Sequence, residues 1–219
     1  MEDRIITNIN VSGMIVGYDP GGNGAHGLAL ASYNDGKIQG VRISTHPTVQ
    51  SIISTISEFN DVIAIGIDTL TCWSTGPSGW RPADRWLKNE YPEITNSIAS
   101  ANSLFGSMGL NGMSALLKIK ESFPNIHISE THPKVMYFEL AKKKYNYKEC
   151  NKEMDSFLSD LIGINISTKN DHEWDAAASI YAVYCGATGK WVNNLHSKSV
   201  TNNEVLVEPC GPTSYWWPK

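Results

Sequence analysis

The chain has 219 residues, of which 41% are hydrophobic and 18% charged, so it has enough apolar material for a sizeable core and too little charge for a disordered protein. Its net charge of −4 argues against a protein that coats nucleic acid, because Lys and Arg supply most non-specific affinity for phosphates. The length favours a single domain over residues 1–219. None of the four cysteines forms a C-x-x-C pair, which argues against a zinc knuckle.

The first residues predict neither a leader nor an anchor. Residues 1–12 are a polar lead-in that opens Met-Glu-Asp-Arg, without the basic and then apolar segments of a signal peptide. No apolar run approaches the roughly 18 residues that a membrane-spanning helix needs. We therefore expect a cytoplasmic protein that does not bind a membrane.

The first third of the chain predicts four strands and a helix. Turn residues separate the first three strands, with Pro-Gly-Gly-Asn-Gly from residue 20 and Asn-Asp-Gly from residue 34. A helix is predicted to begin at Pro47, because apolar residues recur at helical spacing from residue 49 to residue 56. The strands are predicted at residues 14–19, 26–33, 37–46 and 62–68.

Residues 70–111 differ from the rest of the chain because they are rich in glycine, proline and tryptophan. A short helix is predicted at residues 83–89, and the remainder is predicted to be an irregular insertion after the fourth strand. Irregular segments of this length in a compact domain are usually lids or binding loops. We therefore expect the insertion to be a mobile lid.

The second half of the chain predicts a fifth strand among several helices. The helices are predicted at residues 113–123, 134–144, 151–161 and 171–185, and the strand at residues 126–130. Residues 187–219 are predicted to be a C-terminal extension with one further strand at residues 204–208. Three strands joined by tight turns, followed by strand–helix–strand crossovers, predict one mixed sheet in the order 3-2-1-4-5 with helices on both faces. This α/β arrangement is the RNase H-like architecture.

Four acidic residues stand at the ends of predicted elements: Asp19, Asp68, Glu130 and Asp175. Sites in open α/β sheets form outside the carboxyl ends of the strands, where three of these residues are predicted to lie. Clustered carboxylates raise one another's pKa unless a cation neutralises them. Mg²⁺ binds carboxylate and phosphate oxygens, and two such ions about 4 Å apart can activate water for phosphodiester cleavage. The pattern therefore predicts that these four acids bind two Mg²⁺ or Mn²⁺ ions and are catalytic.

Several segments resemble a known family. GYDPGG, GLAL, IGIDT, ETHP and H-x-x-D-A-A are similar to segments of the family called domain of unknown function 429, whose members are predicted RNase H-like nucleases. The resemblance covers residues 14–186 and the VLVEP segment. The pair His172-x-x-Asp175 also resembles the terminal metal-binding pair of RuvC-type resolvases. These resemblances imply divalent-metal-dependent hydrolysis of DNA or RNA, with His172 as a fifth catalytic residue that can share an ion with Asp175.

Each candidate site residue also has a structural interpretation. Asp19 precedes Pro-Gly and can initiate a turn, while Asp68 can cap the loop that follows its strand. Glu130 can fasten its strand end to the next helix. Asp175 is favoured in the first turn of a helix by the helix dipole alone. His172 can cap the same helix or contact a metal ligand from outside the ligand set, and Asp171 can be the N-cap.

Three residues of the insertion are predicted to bind the substrate: Trp80, Arg81 and Arg85. An arginine guanidinium binds phosphate through two parallel hydrogen bonds, and a tryptophan ring can stack on a base. The alternatives are an internal ion pair at a solvated helix start for the arginines and a packing anchor for the tryptophan.

Two other function classes remain open. Residues 19–24 are faintly similar to the phosphate loop of the actin and sugar-kinase-like fold group, although those nucleotide-binding proteins normally need two such domains. A non-catalytic RNase H-like adaptor is the second alternative. The net charge of −4 gives little attraction for nucleic acid, which is consistent with a restricted substrate or a protein partner that delivers the nucleic acid, and a homo-oligomer also remains open.

Overall fold

The computed structural model describes residues 12–100, 106–198 and 205–218. Nearly all of the predicted lead-in at 1–12, residues 101–105 of the insertion, and residues 199–204 and 219 of the C-terminal extension lie outside the described residues. The strands are β1 (Gly13–Asp19), β2 (His26–Asn34), β3 (Lys37–His46), β4 (Val62–Ile67), β5 (Trp73–Ser74), β6 (His127–Glu130), β7 (Asn193–Asn194), β8 (Leu206–Val207) and β9 (Trp216–Trp217). The helices are α1 (Val49–Ile56), α2 (Pro82–Glu90), α3 (Gly106–Ser122), α4 (Pro133–Ala141), α5 (Tyr147–Ile162) and α6 (Asp171–Ala187).

Five strands form one mixed sheet in the order β3-β2-β1-β4-β6. Strand β2 is antiparallel to both β1 and β3, whereas β4 is parallel to β1 and β6 is parallel to β4. The predicted order is confirmed, since β6 is the fifth predicted strand and the two-residue β5 lies between it and β4 in the chain. The strand order and directions are those of an RNase H-like fold.

Helices cover both faces of this sheet. Ile52 and Ile56 of α1 and Leu116 of α3 pack on one face in a core with residues of β1, β2 and β4. Helix α6 lies on the other face, and its residues pack there with side chains of α4 and α5. The predicted two-faced arrangement is therefore present.

Helix α6 lies unusually close to the sheet because three neighbouring strands present glycines to it. A Cβ atom at Gly17 of β1 would lie 1.9 Å from the carbonyl oxygen of Ala176, and one at Gly66 of β4 would lie 2.3 Å from that of Ser179. Gly27 of β2 meets the helix backbone in the same way. This close approach sets the first turns of α6 beside the ends of β1 and β4.

Several element boundaries differ from the prediction for identifiable reasons. Helix α1 begins at Val49 rather than Pro47, because the Thr48 side chain caps it by accepting a hydrogen bond from the backbone N–H of Ser51. Helix α4 ends at Ala141, where Lys142 takes a left-handed conformation with φ 54°. Helix α3 begins at Gly106, so the last part of the predicted irregular insertion is helical.

One pair of short strands attaches the C-terminal extension to the insertion, and a second pair lies within the extension. Strand β8, within the predicted strand at 204–208, pairs with β5 in the insertion, and β7 pairs with β9. Among the described residues, no helix combines the length and apolar character needed to cross a membrane.

Candidate active site

A cleft of about 280 Å³ opens where β1 and β4 end. Asp19 is the last residue of β1, and Asp68 directly follows β4. The Asp68 backbone N–H donates a 3.0 Å hydrogen bond to the carbonyl oxygen of Tyr18, which holds the two strand ends together. Asp175, in the first turns of α6, completes a group of three acids. The cleft is lined by Asp19, Gly21, Gly22, Asp68, Met108, Lys134, Asp171, His172 and Asp175.

The three acids destabilise one another's charged forms. Burial raises the pKa of all three carboxyl groups, and the charge of Asp19 further raises the pKa of Asp68 and of Asp175. The Oδ1 atom of Asp175 is buried and has no hydrogen-bond partner among the described residues. An unpartnered carboxylate oxygen in a group of mutually repelling acids fits a divalent cation, which needs oxygen ligands and supplies the missing charge.

The acids line one cleft, but their carboxylate oxygens do not converge on a common point where an ion could bind. Within the described ranges, no three or more His, Cys, Asp or Glu side chains are arranged so that they could hold a metal ion. Binding of an ion would therefore require side-chain rotation at this site.

His172 contacts Asp19 rather than Asp175. Its Nδ1–H donates a 2.5 Å hydrogen bond to Asp19 Oδ2, and this bond is the main cause that raises the pKa of His172. The N-cap of α6 is Asn170, whose side chain accepts from the backbone N–H of Glu173, so neither His172 nor Asp171 is the cap. The bond to Asp19 instead agrees with the interpretation of His172 as an outer contact of a ligand candidate. His172 thus orients Asp19 at the edge of the cleft.

Lys134 is a cleft residue that the sequence reasoning missed. It lies in the first turn of α4, and the charges of Asp175, Asp68 and Asp19 raise its pKa although burial acts in the opposite direction. Its ammonium group therefore places a permanent positive charge beside the three acids. The sequence carried one signal for it, because Lys134 follows the predicted strand end by only four residues.

Glu130 does not line this cleft. Its Oε1 and Oε2 atoms accept hydrogen bonds of 2.6 and 2.7 Å from the guanidinium group of Arg81, and Oε2 also accepts from the backbone N–H of Thr71 at 2.8 Å. Burial alone would raise the pKa of Glu130, but the Arg81 charge holds it below its usual range. Both carboxylate oxygens are therefore engaged by the insertion rather than by the next helix, so Glu130 has a structural role here, and its role as a metal ligand stays a prediction.

Arg81 is the centre of a buried ionic network that faces away from solvent. Its side chain is 2% exposed and also pairs with Asp84, at 2.7 and 2.8 Å. His196 adds a second positive charge, since contacts with Cys72 and Glu130 overcome the effect of burial and raise its pKa to about 10. Arg81 is accordingly unavailable to a substrate in this structure, and the internal ion-pair interpretation describes it better than the predicted phosphate contact.

The other two predicted substrate-binding residues also lie outside the cleft lining. Trp80 is half-buried, and the Nζ atom of Lys88 lies 4.6 Å from the centre of its ring. Arg85 is half-buried on helix α2. Neither residue lines the cleft that holds the three acids, so their predicted roles require a substrate that extends beyond it.

No protein-family model matches this chain, and no curated protein matches it at a significant level. Two solved structures of RuvC from Thermus thermophilus are similar to this chain, the second in complex with a Holliday junction substrate. The matches cover 80% and 81% of this chain and 96% of each RuvC chain. Their sequence identities are 14% and 12%, with TM-scores of 0.47 and 0.46. An exopolyphosphatase from Cytophaga hutchinsonii is 9% identical, with a TM-score of 0.16 over 97% of this chain and 56% of that one. These similarities are weak, and the RNase H-like fold is established by the strand order and directions.

Proposed function

We propose that this protein is a divalent-metal-dependent nuclease that hydrolyses phosphodiester bonds in nucleic acid. The observation that supports this most strongly is the meeting of Asp19, Asp68 and Asp175 in one cleft, where the first and last are buried, Asp68 is half-buried, and their charges repel. Such a group is costly to maintain without a bound cation, and perturbed acids in a cleft are typical of functional sites.

Asp19, Asp68 and Asp175 would hold the ions. Bound Mg²⁺ or Mn²⁺ would supply Lewis-acid stabilisation of a phosphate oxygen and a water of lowered pKa. His172 keeps the Asp19 carboxylate in a fixed orientation through its hydrogen bond. We leave Glu130 out of the ligand set, because Arg81 occupies both of its oxygens.

Lys134 is the group that suits a phosphodiester substrate. A lysine ammonium is a compact cation that binds phosphate oxygens, and this one lies among the residues that line the cleft. The net charge of −4 gives the chain little general attraction for nucleic acid, so we expect a restricted substrate rather than any duplex.

The proposal extends to family and location. The similarity of the GYDPGG, IGIDT, ETHP and H-x-x-D-A-A segments to the domain of unknown function 429 family supports membership of this chain in that family. All four cysteines are free, which fits a reducing compartment such as the cytoplasm.

A cleavage assay tests the proposed function. Purified protein would be incubated with single-stranded, double-stranded, hybrid and branched DNA and RNA in Mg²⁺, in Mn²⁺ and in EDTA. We expect metal-dependent cleavage that Asp19→Asn reduces by orders of magnitude, while the surface variant Glu121→Gln keeps full activity. Cleavage that survives Asp19→Asn would belong to another site or a contaminant and would contradict the proposal, as would the absence of cleavage of every substrate.

A further inference from the structure

Tyr145 lies in the connection between α4 and α5, and its ring is fixed by aromatic neighbours. Its ring centre is 6.3 Å from that of Tyr137 and 5.6 Å from that of Trp174, with edge-to-face geometry in both pairs. The Nζ atom of Lys134 lies 5.5 Å from the same ring centre. The ring therefore packs between the aromatic core and the lysine of the cleft, which leaves its hydroxyl group little freedom to move.

The Tyr145 hydroxyl oxygen is buried and has no hydrogen-bond partner among the described residues. Buried polar groups are nearly always hydrogen-bonded, and an unsatisfied one costs about 1–3 kcal/mol. Burial raises the pKa of Tyr145 above its usual value, and the charge of Asp175 raises it as well. The hydroxyl thus keeps its proton and is a donor that no well-aligned acceptor meets among the described residues.

Within the described ranges, Asp175 lacks a hydrogen-bond donor at one oxygen in the way that Tyr145 lacks an acceptor. It is 3% exposed, and its Oδ1 atom is an acceptor without a donor within the described part of the chain. The interaction of the Tyr145 hydroxyl with the Asp175 carboxylate raises the pKa of Tyr145 and lowers that of Asp175, so the two groups face each other, although the contact falls short of ordinary hydrogen-bond geometry. A change in the orientation of the Asp175 carboxylate would align it with the hydroxyl.

We propose that Tyr145 is a positioning residue for Asp175, whose carboxylate accepts a hydrogen bond from the Tyr145 hydroxyl when its other oxygen holds a metal ion. This inference rests on the proposed function, because it requires that Asp175 binds the ion. Carboxylates that bind metals are in turn hydrogen-bonded, and removal of such an outer partner typically lowers metal affinity about 10–100-fold.

Tyr145→Phe tests the inference because it deletes the hydroxyl and keeps the ring that packs on Trp174. Tyr137→Phe is the matched control: it removes a hydroxyl from the same aromatic cluster, where the pKa of Tyr137 responds to Glu153 and Lys143 rather than to the acids of the cleft. Mn²⁺ affinity would be measured by titration calorimetry, and the melting temperature of each metal-free protein by circular dichroism.

We expect Tyr145→Phe to weaken Mn²⁺ binding about 10–100-fold while the metal-free melting temperature is unchanged or higher. Tyr137→Phe should bind Mn²⁺ as the wild type does. Equal Mn²⁺ affinity of Tyr145→Phe and wild type would overturn the positioning role alone and leave the proposed function standing. A fall in melting temperature that accompanies the affinity loss would make the hydroxyl structural and also overturn it. A wild-type protein that binds no Mn²⁺ would overturn both proposals.

Discussion

Replacement of Glu130 by Gln distinguishes the two roles that this residue could have. In the structure, the carboxylate of Glu130 is 3% exposed and neutralises Arg81, which has no access to solvent. The Glu130→Gln substitution keeps the shape of the side chain but removes the charge that Arg81 faces. If Glu130 is structural, the variant should lose stability and keep its affinity for metal.

The size of the loss follows from the burial of the pair. Breaking a buried ion pair by neutralising one partner typically costs about 3–5 kcal/mol, because the other charge is left uncompensated. Asp84 remains beside Arg81 and keeps two hydrogen bonds to it, so we expect a loss near the lower end of that range. For a chain of this length, each kcal/mol lowers the melting temperature by about 2–4 °C, which predicts a fall of about 6–12 °C.

Thermal unfolding followed by circular dichroism and Mn²⁺ titration calorimetry would be carried out on the same preparations. The control is Glu121→Gln, which breaks an exposed ion pair with Lys118 and should shift the melting temperature by no more than about 2 °C. A Glu130→Gln protein with an unchanged melting temperature and a lost Mn²⁺ site would show that Glu130 is a metal ligand and that the structural interpretation is wrong.

Three further predictions concern the close approach of α6 and the charges in the cleft. Gly17→Ala should cost about 2–3 kcal/mol in urea unfolding, because its Cβ would lie 1.9 Å from a carbonyl oxygen, whereas Gly40→Ala, with 3.6 Å to its nearest neighbour, should be close to neutral. Asp68→Asn should stabilise the metal-free protein, and by more as pH rises above about 4. The reason is that the pKa of Asp68 is raised in the folded wild type, which therefore loses stability as pH rises towards that pKa, whereas the variant does not. A difference in melting temperature that does not depend on pH would contradict this. Lys134→Met removes the positive charge beside the acids, so it should bind Mn²⁺ more tightly in calorimetry and a non-cleavable oligonucleotide more weakly in fluorescence anisotropy. A loss of both affinities would show that the charge of Lys134 is not what sets them.

The sheet could be predicted because its signals are local. Strands β1 and β4 are continuous apolar runs that end at turn residues, and the rule for parallel crossovers places them side by side. Asp19 and Asp68 follow these runs directly, so their meeting in one cleft required no knowledge of side-chain packing. Their assignment as metal ligands stays a prediction.

Glu130 shows that the same local pattern does not determine the surroundings of a side chain. It also ends a buried strand, but its partner Arg81 lies 49 residues earlier in the chain, and only the tertiary fold brings the two together. The start of helix α3 was missed for a related reason. Glycines lower helix propensity, yet Gly112 is in this helix, where a Cβ atom would lie 2.4 Å from the Thr69 side chain, so the glycine permits packing rather than a break.

The most direct test of the metal site is the position of Mn²⁺ in crystals of the protein, located by anomalous scattering. We expect a peak in the cleft at about 2.0–2.6 Å from carboxylate oxygens of Asp19, Asp68 and Asp175, with Glu130 still paired to Arg81. A Mn²⁺ ion bound by Glu130, or a cleft that stays free of Mn²⁺ at concentrations that support cleavage, would contradict the account.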